Sequence, residues 1–310
     1  MQNLFATTFP IFLIALLGSI IKRNWLSSEE FWRGLEKLLY FLLFPSVLFN
    51  YISTADLSGA SVTRLVFCLM ISTSIVAIAV VIYQKKTNID RVLFTSMFQG
   101  SIRYNTYIFL GLSSALFGSE GIAIVAVISS YMIIFTNILS VMIFATYIPS
   151  SINRKNRLEL LFLVLKLIST NPLIIASILG FIFNYSGLEL NLGVHNTIAS
   201  LSDSALAIGM LNVGAGLKFI ICPSRFKSIL FTTIVKLMIL PIITVIILSI
   251  MSISSTTRSI GILYSCLPCA STAYVLSRQL GGDCESMASI ITFTTIFSLV
   301  TLPIFMYLFG

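Results

Sequence analysis

The sequence predicts an all-α polytopic membrane protein whose ten transmembrane helices form two inverted five-helix repeats. Three observations carry that expectation. Of the 310 residues, 57% are hydrophobic and only 10% charged, against roughly 25% charge in a soluble domain, so lipid must solvate much of the surface. The apolar residues fall into ten runs, most close to the ~20 residues needed to cross a hydrocarbon core. The second half also repeats the spacing of the first at an offset of about 162 residues.

The runs are 4–21, 36–52, 63–83, 92–116, 119–147, 168–184, 197–220, 229–250, 259–279 and 286–309. The first is read as a retained span and not as a cleavable signal, because Lys22 and Arg23 follow the apolar stretch and no basic residue precedes it. Leu158 to Ile168, flanked by Arg157 and interrupted by Lys166, reads as an interfacial helix in the connection 148–167. That connection separates a first unit, 1–147, from a second, 168–310.

Orientation follows from lysine and arginine. Lys22, Arg23, Arg33, Lys37, Lys85, Lys86, Arg91, Arg154, Lys155, Arg157, Lys166, Lys218, Arg225, Lys227 and Arg278 fall on the odd-numbered connections, and only Arg64 and Arg258 on the even ones. The first set is expected in the cytoplasm, with both termini outside. The net charge of +8 is therefore a topology signal. It forms no patch or arm for nucleic acid, which is excluded as a partner.

The repeat rests on spacing and prolines. Pro10 in span 1 falls on Pro172 in span 6, and Asn105 in span 4 falls on Leu267, beside Pro268 in span 9. Five crossings per unit is an odd number, so the second unit starts from the opposite face. Inverted repeats of this kind are typical of secondary transporters.

Spans 4 and 9 carry polar interruptions at matching depth. Span 4 holds Gln99-Gly100-Ser101-Ile102-Arg103-Tyr104-Asn105-Thr106, and span 9 holds Ser265-Cys266-Leu267-Pro268-Cys269-Ala270-Ser271-Thr272. Eight such residues cannot face lipid, and Pro268 removes a backbone donor. Both spans are expected to be discontinuous, offering half-helix ends to an anion. Pro45 is expected to bend span 2. Gly209, Gly214 and Gly216 in span 7 suit close helix packing. Pro172, after Asn171, suits a first helical turn.

Arg103 and Lys236 are the only basic residues well inside spans, where a cation needs a reason. Arg103 suits either a bidentate grip on a carboxylate or the carbonyl end of its own half-helix. Lys236 suits either substrate or snorkelling to the cytoplasmic surface. Asn137 and Gln99 are amides that serve a substrate or tie helices together. Asp203 alone brings a carboxylate near the interior, too little for a proton relay, although carbonyls and hydroxyls can still hold sodium. Cys68, Cys222, Cys266, Cys269 and Cys284 read as free thiols, and the single histidine, His195, builds no metal site. No resident cofactor or metal is expected, and coupling to sodium or protons stays open. An intramembrane enzyme lacks the groups it would need.

In order and spacing the chain resembles the auxin efflux carrier family of permeases, within the superfamily that holds the bile acid:sodium symporters. The resemblance runs through Leu39 to Pro45, Arg103-Tyr104-Asn105-Thr106, Gly118-Ser119-Glu120-Gly121 and Asn137. It continues through Asn171-Pro172-Leu173-Ile174, Gly214-Ala215-Gly216-Leu217, Lys236 with Pro241, Pro268, Tyr274 to Gly282 and Thr294-Thr295. It implies a scaffold of spans 1, 2, 6 and 7, and a transport bundle of spans 3–5 and 8–10 in which spans 4 and 9 cross. The bundle would move against the scaffold as an elevator, carrying a small carboxylate such as malonate, malate or an auxin-like acid. Ser204-Ala205-Leu206-Ala207 departs from the proline usual near that position. The short connection between spans 5 and 6 fits a bacterial inner-membrane member.

On this reading Arg103 supplies charge at the crossing. Asn105, Thr106, Ser271 and Thr272 donate hydrogen bonds, Pro45 and Ser46 face the site, and Asn137 and Lys236 are further candidates. The expected partners are the organic anion and the bilayer, with a homodimer left open. The rival readings are a sodium-coupled organic-anion symporter and a non-transporting membrane sensor.

Overall fold

The computed structural model describes residues 2–55, 60–148, 165–166, 169–188, 190–217, 223–253 and 255–310. The expected interfacial helix, Leu158 to Ile168, lies almost wholly outside the described residues, as do Arg154, Lys155, Arg157 and Lys218. Every regular element among the described residues is helical. Seven helical stretches are long and apolar enough to cross a membrane, and Pro172–Ser186 is a shorter apolar helix.

Helix α1 (Gln2–Asn24) carries Pro10 in its interior. Helix α2 (Glu29–Leu38) starts seven residues before the apolar run that announced it. Ser28 caps it, accepting from the Phe31 N–H at 3.2 Å, and Glu29 and Glu30 sit in the positive first turn. A single π turn, Leu39–Leu43, joins α2 to α3 (Phe44–Ser53). Pro45 follows it one residue later. A wider turn absorbs a proline whose missing N–H would otherwise break the ladder, so the expected bend is a local register change.

Helix α4 (Ala60–Thr87) is followed by α5 (Arg91–Ile102), which Asp90 caps through the Leu93 N–H at 2.9 Å. Residues 103–105 leave the helix, and α6 (Thr106–Tyr147) begins. As one rod, the 57-residue stretch Arg91–Tyr147 would measure ~85 Å at ~1.5 Å per residue, far beyond a ~30 Å core. Gly118 divides it: φ 62°, ψ −151° is a backbone state that a side chain would strain.

Helix α7 (Pro172–Ser186) starts at the Asn171 cap, whose Oδ1 accepts from Leu173 N–H at 3.0 Å, with proline in the first turn as expected. Its Asn184 amide donates to the carbonyls of Ile52, Ser53 and Ala55, closing the end of α3. Helix α8 (Leu192–Ala215) stops before the expected limit of span 7. Helices α9 (Phe226–Ile234) and α10 (Leu240–Ile250) are joined by a second π turn, Val235–Ile239, again just ahead of a proline, Pro241. Then come α11 (Ser255–Cys266), α12 (Thr272–Leu280) and α13 (Cys284–Phe309).

Helix α1 packs along α8, and α3 along α7 and α8. The α1–α8 approach is as close as backbone allows. A Cβ on Gly214 would lie 1.5 Å from the Ala15 carbonyl oxygen, and one on Gly18 would lie 1.9 Å from that of Leu211. Helices α5, α9, α10, α11 and α13 pack around the second π turn, and α4 packs on α5, α10 and α11. Helix α6 touches both groups, so the segment carrying the first interruption lies between them.

Candidate functional site

The two interruptions meet. Pro268 cannot donate, which frees the chain between α11 and α12 to run as an irregular segment, 267–271. Its carbonyl accepts from the Asn105 N–H at 2.9 Å, so a main-chain bond joins the break after α5 to the break after α11. One residue on, the Cys269 N–H donates to the Thr294 hydroxyl of α13 at 3.1 Å. The Thr294 hydroxyl in turn donates to Ile290 O at 2.7 Å.

Asn105 divides its side chain between two tasks. Its Oδ1 caps α6, accepting from Tyr107 N–H at 3.0 Å and Ile108 N–H at 3.2 Å. Its Nδ2 is buried with no protein acceptor among the described residues. Arg103 stands at the carbonyl end of α5, as the sequence allowed. One terminal nitrogen donates to the Thr272 hydroxyl at 3.2 Å, and the other, Nη1, is buried without a partner. Among the described residues, the ion pairs are Lys22–Glu29 and Arg225–Asp283, so no carboxylate neutralises Arg103.

Helix α12 adds a second positive dipole end, where Ser271 gives no side-chain cap and the Ala273 and Tyr274 N–H groups donate to the carbonyls of Ala270 and Ser271 at 3.1 Å. Thr106, Ser271 and Thr272 are half-buried around these ends. Solvent does not reach the centre, where Asn105 is 1% and Arg103 8% exposed. The arrangement gathers donors and positive dipole ends around an enclosed point, without an acceptor charge to satisfy them. It suits a small anion.

The other expected residues divide. Phe44, next to Pro45 and Ser46, stacks on Tyr107 of α6 with ring centroids 4.1 Å apart, which brings the start of α3 alongside the crossing. The Ser46 hydroxyl donates to Leu42 O at 2.8 Å, within its own helix. Asn137 lies half-buried on α6, with no hydrogen bond to the crossing. Lys236 corrects its snorkelling alternative. It is fully buried, with Nζ 5.9 Å from the centroid of the Tyr264 ring, because the π turn directs it inward and not along the span.

Gln99, read from sequence as serving a substrate or tying helices, makes a helix-tying bond whose partner the sequence did not name, and one aromatic cluster went unassigned. Gln99 of α5 donates to the Ser277 hydroxyl of α12 at 2.9 Å, pairing the half-helices side by side. Tyr104, Phe109 and Tyr264 form an aromatic cluster behind Asn105, with centroids 4.6 to 5.9 Å apart. Tyr104 lay inside the polar octet, but no local signal marked Tyr264 as its partner. A cleft of about 630 Å³ lies elsewhere, at the ends of α4 and α6, lined by Gln84, Asn88, Asp90, Arg91 and Tyr147. It shares none of these residues. No group of three potential metal-ligating residues occurs among the described residues.

Comparison with known proteins gives the family. A family model described as membrane transport protein matches residues 4–306. A curated relative from Methanothermobacter thermautotrophicus, described as an uncharacterized transporter, is 26% identical over 304 residues, covering 96% of each chain. The match spans both interruptions and nearly every helix, and the chain belongs to the membrane transport protein family of auxin-efflux-carrier-like permeases.

Proposed function

We propose that this membrane transporter carries a small organic anion, a mono- or dicarboxylate, through the crossing of α5–α6 with α11–α12. The observation that carries the reading is the Asn105 N–H to Pro268 O bond, with the unpartnered Arg103 Nη1 and Asn105 Nδ2 beside it. Arg103 supplies charge, and Asn105, Thr106, Ser271 and Thr272 supply hydrogen bonds. Pro45 and Ser46 form the opposing wall.

The helices count as ten spans when Arg91–Tyr147 is divided at Gly118, α7 is included, and α11 with α12 make one crossing. Two features support an inverted repeat. Helices α5 and α11 are each 12 residues long, and the chain resumes on Thr106 and Thr272. On this reading α1–α3, α7 and α8 are the scaffold, and the remaining helices form a bundle that slides against it. The enclosed centre corresponds to a closed state of that cycle. The positive-inside count supports termini outside, and the short connection between spans 5 and 6 supports a bacterial inner membrane.

The test is flux of labelled carboxylates into proteoliposomes. Arg103→Ala should abolish flux while the purified protein elutes as a folded species, and Arg103→Lys should restore only part of it, because an ammonium lacks the planar fork. Unchanged flux in Arg103→Ala would remove Arg103 from the site.

A further inference from the structure

Two helices end inside the bundle, and each leaves carbonyls without intrahelical partners at its negative end. At α5 the residue that closes the helix, Arg103, is itself basic, and its side chain donates across to Thr272 of α12. Helix α11 has no basic residue in its last turn. It ends at Cys266, fully buried, with Tyr264 and Leu267 around it also fully buried.

A cation on another element lies beside this end, 5.9 Å from the centroid of the Tyr264 ring. Lys236 sits in the π turn Val235–Ile239, which packs against α11, α13 and α5. Its side chain is fully buried, and Nζ has no hydrogen-bond partner among the described residues. The ammonium lies over the Tyr264 ring, on the last turn of α11. Among the described residues, no carboxylate pairs with Lys236. A buried ammonium without a counter-anion is costly in a membrane interior. The carbonyl end of α11, together with the face of Tyr264, is the compensating negative potential on hand.

We propose that Lys236 is a tethered counter-cation for the end of α11, standing where a small diffusible cation would otherwise be drawn. Lys236 is then a positioning residue. It holds the negative end of α11 neutral, so that the positive ends of α6 and α12 dominate the potential felt by the anion, and no alkali cation has to travel with it. The role in transport rests on the reading of the crossing as the anion site, whereas the electrostatic role does not.

The experiment separates the two. The purified full chain is unfolded thermally, without any anionic substrate, in sodium, lithium, potassium or choline chloride at equal ionic strength. The wild type should give the same midpoint in all four salts. Lys236→Met keeps the volume and removes the charge. Its midpoint should fall by about 5 °C in choline and recover at least half of that in sodium or lithium. Lys236→Arg should again ignore the cation. Lys236→Gln gives the same comparison if the methionine variant does not fold. A wild type stabilised by sodium over choline, or neutral variants that ignore the cation, would overturn the proposal. In proteoliposomes, wild-type flux should be equal in sodium and choline, and sodium-dependent flux would also overturn it. A wild type that moves no anion would refute the transport reading, while the midpoints still decide the role of Lys236.

Discussion

Asn105 permits a substitution that separates architecture from recognition within one side chain. Its oxygen holds the first turn of α6 through two N–H groups, and its nitrogen is the buried donor left for a ligand. Asn105→Asp keeps an oxygen for the cap and replaces the donor with a second acceptor. The new carboxylate gains from the N-terminus of α6 and from Arg103, so it stays ionised. Folding should change by less than about 1 kcal/mol. Recognition should collapse. A donor to a charged ligand contributes about 1.5–3 kcal/mol, and two like charges ~4 Å apart repel by roughly 4 kcal/mol at an effective dielectric of ~20. Arg103 offsets part of this, leaving about 4 kcal/mol, or roughly a thousandfold in apparent affinity. Asn105→Ala should behave oppositely, losing about 1 kcal/mol of stability with the cap but only about 10- to 150-fold in affinity. The assay pairs thermal unfolding of purified protein with carboxylate flux in proteoliposomes. An aspartate variant that transports like wild type, or that unfolds as early as the alanine variant, would refute this division of labour.

Other consequences are equally direct. Gly214→Ala places a methyl 1.5 Å from the Ala15 carbonyl and should cost about 3 kcal/mol or more by forcing α1 from α8; Gly34→Ala, with nothing within 4 Å, should be neutral or mildly stabilising. Thr294→Val removes the acceptor of the buried Cys269 N–H and should cost about 1–3 kcal/mol, with faster hydrogen exchange confined to 267–271. Asp283 caps α13 through Ser286 N–H at 3.0 Å and pairs with Arg225. Asp283→Ala should therefore lower the unfolding midpoint more than Arg225→Ala, whose side chain is 38% exposed and whose loss is softened by solvent.

Both interruptions were legible because each has a local chemical cause: Pro268 lacks an N–H, and the octet around Arg103 cannot face lipid. The asparagine before Pro172, and Gly209 and Gly214 of span 7, also acted as their chemistry suggests, whereas Gly216 ends its helix and meets only its own last turn. The onset of α2 was hidden because Glu29 and Glu30 look like loop residues until Ser28 is seen as their cap. The π turns carried a signal in Pro45 and Pro241, but a proline alone does not say whether a helix bends or widens. The face taken by Lys236 was not legible, since depth along a span says nothing of azimuth once a turn of different pitch precedes it. The pairing of Gln99 with Ser277 and the bond from Asn105 to Pro268 join residues far apart in sequence, and only the folded chain brings them together.

That last bond runs from one peptide group to another. No side-chain replacement deletes it, save proline at position 105, which would remove the donor. Side chains around the junction are consequently free to drift in size and polarity while the backbone knot that assembles the two halves persists. A lineage built on this plan can change its cargo without relearning how to fold.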